Sequence, residues 1–164
     1  MKSTEILLLW ILFLTGLSAG LGFGNAVGYM PGMSDTPANH MLSFWQHVDH
    51  YFRARMPIFG NTLLLSMIVT LILLRKDWSS LLFWCIALSF VACVADLIVI
   101  ITQNLPLNKI IQNADAEKPL TIDFETIRQK AMRAYYTRAF LNIISFVLVL
   151  CGVALYWKTY FKRV

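Results

Sequence analysis

Charge is what this chain has least of. Asp, Glu, Lys and Arg make up 14% of its 164 residues, about half the ~25% of an ordinary soluble domain. A folded chain of this size has too much surface to cover with so few charges, which excludes a soluble enzyme. The same shortage excludes a disordered chain, because disorder rests on low hydrophobicity and high charge. Cysteine is scarce too. Cys85, Cys93 and Cys151 all fall inside apolar runs, with no Cys-x-x-Cys. Membrane enzymes that generate disulfides need accessible paired thiols, so that class is excluded. No histidine lies in an apolar run, which excludes a bundle holding haem between transmembrane histidines. A Walker phosphate loop is missing, and so is a Gly-x-Gly-x-x-Gly in a strand–helix setting. No cofactor is implied. There is no internal repeat, so a self-contained secondary transporter does not fit either.

Hydrophobic residues are plentiful instead, at 58%. Four apolar stretches cover residues 6–28, 57–74, 78–104 and 139–157, and the one charge within them is Asp96. Each suits a helix crossing a hydrocarbon core of about 30 Å. Their continuous apolar character is not the alternation of a membrane barrel. The fold class expected is all-α: a four-helix transmembrane bundle, one integral domain over 1–164, with the lipid bilayer as its first partner. The first stretch also has features of a signal peptide, namely Lys2, the run Ile6–Leu14 and the small residues Ser18-Ala19-Gly20. The apolar run continues to Val27 and Glu5 interrupts the basic end, which favours an uncleaved span.

The net charge of +5 is topological and does not point to nucleic acid, because the charges cluster at the ends of apolar runs. One side of the membrane holds Lys2, Arg75, Lys76, Lys158, Lys162 and Arg163 in short segments against the span ends. The other side spreads its basic residues over long loops. Both termini are therefore expected on the cytoplasmic face of a cell membrane, in a multi-pass protein.

Between the spans, Met30–Asn39 is rich in Pro, Gly, Ser and Asp and reads as a turn. His40–Arg55 reads as a helix with Met41, Phe44, Val48 and Phe52 on its apolar face. It leads into span two, where Pro57 permits a kink. Span three is expected to end at Pro106, and a loop follows over Asn113–Pro119. From Asp123 the stripe Phe124, Ile127, Ala131, Tyr135 predicts a helix that joins span four and projects beyond the membrane.

Several features can carry function. Gly16, Gly20, Gly24 and Gly28 lie at four-residue spacing along span one. Such a stripe permits close helix packing, within the bundle or in a homo-oligomer, or a groove for a flat ligand. Asp96 is a carboxylate within a span, at heptad spacing from Ser89 and Gln103, and serves either an ion pair or proton-handling chemistry. Tyr135, Arg138, Asn142 and Ser145 share one face of span four, and Arg138 is able to reach Asp96 or an anionic ligand. Gln46, His50, Arg53, Pro57 and Asn61 share a face before and into span two. His47-x-x-His50, with His40 upstream, could ligate a metal, but no acidic or Cys partner is fixed by spacing, so no metal is assigned. Asn25, Arg53, Arg55, Asn61, Gln103, Asn104, Asn108, Tyr135 and Asn142 join His47, His50, Asp96 and Arg138 toward one end of the spans. The expectation is a polar cup over an apolar floor, open to an amphipathic, membrane-soluble small molecule.

The segments Leu14-Thr15-Gly16-Leu17-Ser18-Ala19-Gly20, Arg55-Met56-Pro57 and Asn104-Leu105-Pro106-Leu107-Asn108, with the arginine opening span four, resemble the anthrone oxygenase-like family. These are small four-helix membrane proteins, many known only as a domain of unknown function. Tyr135 and Tyr136 stand where the family often carries a tryptophan. The resemblance implies oxidation of an anthrone to an anthraquinone without an obvious cofactor. His47, His50 or Asp96 would then take a proton from an acidic C–H. Arg53, Arg138, Asn104 or Asn108 would stabilise the resulting anion, which dioxygen attacks. The alternative is a non-enzymatic membrane scaffold, lipid-binding protein or partner subunit, with the glycine face and the long fourth helix as contact surfaces.

Overall fold

A chain this apolar must satisfy its backbone polar groups internally once lipid surrounds it, and helices do so within a single segment. A computed structural model describes the backbone over residues 3–114 and 123–161, and side chains over 4–114 and 123–158. Among these residues the chain is helical with no strand. Helix α1 covers Ser3–Gly24, and a π-turn at Asn25–Tyr29 joins it to α2, Met30–Asp35. Helix α3 runs unbroken over Ala38–Leu74, through Pro57, and ends in a 3₁₀ turn at Arg75–Asp77. Helix α4 covers Leu81–Val99, and a second π-turn at Ile100–Asn104 joins it to α5, Leu105–Asn113. The long α6 covers Phe124–Phe161. The four resulting columns are each long and apolar enough to cross a membrane.

The helix before span two and the single helix through span four are as expected. The expected loop over 113–119 lies mostly outside the described residues. Span three begins at Leu81 instead of Trp78, because the Ser80 hydroxyl caps α4 by accepting from the Phe83 amide at 3.1 Å. Asp123 caps α6 in the same way through the Thr126 amide. Its bonds to the Thr126 side chain and backbone hold its carboxyl below the usual range.

Two expectations fail for one reason. Met30–Asn39 was expected as a turn, and span three was expected to stop at Pro106, yet helix continues past Pro31 and Pro106. Each proline is the second residue after a π-turn. The wide turns are closed by Met30 N–H to Asn25 O and by Leu105 N–H to Ile100 O, one residue longer than an α-turn. A proline ring crowds the carbonyl four residues back and donates no hydrogen bond. A widened turn just before it relieves both problems.

Helix α6 is the hub, with α1 and α4 packed along it and α3 bridging α1 and α4. Two glycines permit the close approaches. A Cβ at Gly22 would lie 3.0 Å from the Ala139 Cα, and one at Gly152 would lie 2.9 Å from the Cys85 Cβ. The stripe singled out in the sequence behaves differently. A Cβ at Gly16 would lie 3.3 Å from the Phe146 ring, but one at Gly20, Gly24 or Gly28 would meet nothing within 4 Å. Most of that stripe is therefore not used to pack the bundle.

The buried residues form two apolar clusters. One holds Leu8, Ile11, Leu63, Met67, Ile86, Val149 and their neighbours. The other holds Met30, Met33, Met41, Leu42, Trp45, Leu107, Ile111, Phe124, Ile127 and Ala131. The α6 stripe is as expected, but the buried face of early α3 is Met41, Leu42, Trp45 and Asp49, while Phe44 and Phe52 are exposed. Where lipid is the solvent an exposed phenylalanine costs nothing, so apolar character alone does not mark the buried face. From His50 to Ile58 every residue of α3 is exposed.

Candidate functional site

Ser18, Asp49, Asp96, Asn104, Arg138 and Asn142 fall along their columns between the two apolar clusters, while buried Glu5, Thr70 and Ser89 lie within or beyond the first. The expected cup with an open mouth is thus a polar layer with apolar packing on both sides. Its centre is an ion pair, Arg138 Nε to Asp96 Oδ1 at 2.8 Å, from α6 to α4. The Arg138 guanidinium also lies over the Tyr135 ring, 5.9 Å from its centre. One turn further along α6, Asn142 donates to the Arg138 carbonyl at 2.8 Å and accepts from the Ser18 hydroxyl of α1 at 2.7 Å. Ser89 and Ser145 share a hydrogen bond at 2.7 Å, with Cys93 at 3.1 Å from Ser145. Polar bonds of this kind hold helices together where lipid supplies no hydrophobic drive.

Ser18 lies in Gly16-Leu17-Ser18-Ala19-Gly20, which has the letters of a hydrolase nucleophile elbow. It sits inside α1 and not on a strand-to-helix turn. Its hydroxyl is committed to Asn142, with no histidine in that bond.

A second carboxylate completes the layer, and the sequence did not reveal it. Asp49 of α3 is 7% exposed. It pairs with Arg53 at 2.8 Å and accepts from Asn108 and from Gln112 of α5. Trp45 donates to Asn108 at 3.1 Å. Gln46 donates to the Ile111 and Ala114 carbonyls, and Gln112 donates back to the Gln46 carbonyl. These bonds clamp α5 against α3. The one signal in the chain was the Asp49/Arg53 spacing of four residues.

Asn104 differs from its neighbours. It is 4% exposed, and neither its amide nitrogen nor its amide oxygen has a hydrogen-bond partner. The Tyr135 hydroxyl is close enough to interact with it, but the geometry falls short of a hydrogen bond. Asp49 and Arg138 both act electrostatically on the same Tyr135. The π-turn explains why Asn104 faces inward. Heptad spacing from Ser89 and Asp96 predicts Gln103 on the inner face, but the extra residue in the turn advances that position by one. Gln103 is exposed and Asn104 is buried.

Asp96, Arg138, Asn142, Asn104, Asn108 and Tyr135 are therefore brought together, and Asn25 lies half-buried on the first π-turn. Other candidates stand apart. His47 and His50 are exposed and line an open groove of about 1080 Å³ with His40, Ser43, Gln46 and Gln112. Neither Asp96 nor Arg138 contributes to that groove. Arg55 is exposed, its guanidinium 5.2 Å from the Tyr51 ring centre, and Asn61 is exposed on α3. Among the described residues no group of three or more His, Cys, Asp or Glu side chains is placed to hold a metal ion. Compared with protein-family models, curated proteins and solved structures, the chain matches none of them.

Proposed function

We propose that the protein binds a neutral, lipid-soluble aromatic or quinone-like molecule in the polar layer, where Asn104 and Tyr135 hold its oxo or hydroxyl group. The observation that carries this reading is the buried amide of Asn104 with no partner on either atom. Leaving such a group unpaired costs about 1–3 kcal/mol. A quinone carbonyl accepts from the Asn104 amide nitrogen and offsets part of that cost, and a hydroquinone hydroxyl also donates to the amide oxygen. The neutral charge follows from compensation in the layer, since Asp96 is paired with Arg138 and Asp49 with Arg53. The rings of Tyr29 and Tyr135, 6.1 Å apart and edge to face, supply aromatic surface near the amide. In orientation, both termini and the Arg75–Asp77 turn lie on the cytoplasmic side of the cell membrane.

The test is titration of menadione, a neutral naphthoquinone, into the protein in lipid nanodiscs. Saturable binding is expected, with Asn104→Leu weakening it about tenfold, the equivalent of about 1.4 kcal/mol, while the fold is kept. No saturable binding, or equal binding by Asn104→Leu, sinks the proposal. Supplying anthrone under oxygen adds the question of turnover, read as anthraquinone formed above the rate in empty nanodiscs.

A further inference from the structure

The bare glycines and one cavity are not used by the polar layer itself. Gly20, Gly24 and Gly28 are exposed, with open space where a side chain would begin. At the far end of this track lies a largely apolar cavity of about 300 Å³, lined by Gly28, Tyr29, Gly32, Met33 and Phe44 among others. That volume is at the lower end of the range for small-molecule sites. Its lining residue Tyr29 packs on the second apolar cluster and touches the polar layer through the Tyr135 ring. The Tyr29 ring lies 5.9 Å from Phe44 and 6.1 Å from Tyr135, and beside the Tyr135 hydroxyl lies the unpartnered amide of Asn104. The track ends at the cavity, and the cavity's Tyr29 adjoins Tyr135, while Asn104 itself does not line the cavity.

Resting on the binding function proposed above, we infer that the ligand is a tailed amphiphile that reaches the site sideways from the bilayer. Its chain lies along Gly20 and Gly24. Its ring occupies the cavity at Gly28 and Gly32, and its oxo or hydroxyl head passes Tyr29 to reach Asn104. Glycine suits the track because any side chain there would occupy the path of the chain. A second copy of the helix would cover the track but would leave the cavity and the amide unserved. A tailed amphiphile engages all three.

The experiment compares two probes with one head group, menadione and a naphthoquinone bearing a short prenyl chain, in the same nanodiscs. The variants are Gly24→Leu, Gly28→Leu and Asn104→Leu. The two glycine variants are expected to fold, because each position has open space and no glycine has a positive φ. Gly24→Leu should weaken the prenylated probe about tenfold and leave menadione unchanged, while Gly28→Leu, which fills the ring cavity, and Asn104→Leu should weaken both. If Gly24→Leu binds the prenylated probe like the unaltered protein, the tail track is wrong; if Gly28→Leu binds both probes like the unaltered protein, the ring cavity is wrong. If neither probe binds the unaltered protein, the proposed function fails first. If the unaltered protein is a dimer and Gly24→Leu makes it a monomer, the glycines are a helix-packing face and the inference is overturned.

Discussion

Asp96 has its partner 42 positions away in the chain, and the two side chains stabilise each other in a place neither tolerates alone. Both are mostly sheltered, with side-chain exposures of 13% for Asp96 and 25% for Arg138. Removing one partner of a buried pair leaves an uncompensated charge and costs about 3–5 kcal/mol, whereas replacing both by apolar groups is often neutral. Asp96→Leu and Arg138→Leu should therefore each lower stability by about 3 kcal/mol, and the double variant should recover most of that loss. Unfolding by SDS titration in mixed micelles measures this, and a double variant no better than the singles contradicts it. This pair was legible in the sequence, because a carboxylate in an apolar run demands a partner and Arg138 opens the neighbouring run. Asp49 was not. It lies where charged residues are common, and its bond to Asn108 spans 59 positions. Asn104 was named, but Gln103 was placed beside it on the inner face. Heptad counting fails across a turn that holds one extra residue.

At the scale of the element, helix termination was the least legible property. Pro31 and Pro106 carry the local chemistry of a stop, and what lets each helix continue is a wider turn just before the proline. Glycine spacing misled in a similar way. Four-residue periodicity drew attention to Gly20 and Gly24, yet the positions that bring backbones together are Gly22 and Gly152. A side chain at either must displace a neighbour, and such overpacking costs about 1–3 kcal/mol. Gly22→Ala and Gly152→Ala should each destabilise the bundle by that amount. Gly20→Ala should stabilise it by about 0.5–1 kcal/mol, because glycine in a helix interior costs that much relative to alanine. Thermal melting in detergent of the three variants gives the order, and a stable Gly152→Ala protein would argue against the α4–α6 contact.

At the scale of the whole molecule, composition and run lengths were enough to read a four-helix membrane bundle. The vertical arrangement was harder to read: Met41–Trp45 and Phe124–Ala131 were expected in helices, but Met30 and Met33 were expected in a turn and Leu107 and Ile111 beyond the end of span three. Four crossings would put Lys158 and the Arg75–Asp77 turn on one side, with the start of α6 opposite. Labelling with a membrane-impermeant maleimide checks this. Lys76→Cys and Lys158→Cys should react only after the cells are opened, and Gln129→Cys should react in intact cells. Reaction of all three from one side contradicts four crossings.

The hub position of α6 has a consequence in time. A chain is made from its N-terminus, at roughly 5–20 residues per second, so the 42 positions between Asp96 and Arg138 take roughly 2 to 8 seconds to synthesise. During that interval α1, α3 and α4 are already made, and the helix they pack around is not. A carboxylate has entered the membrane without the guanidinium that neutralises it, at a cost of a few kcal/mol. Until α6 is made, the contacts available to the first three columns are mainly those of α3 with α1 and α4. The last helix to arrive converts three loosely associated segments into one molecule.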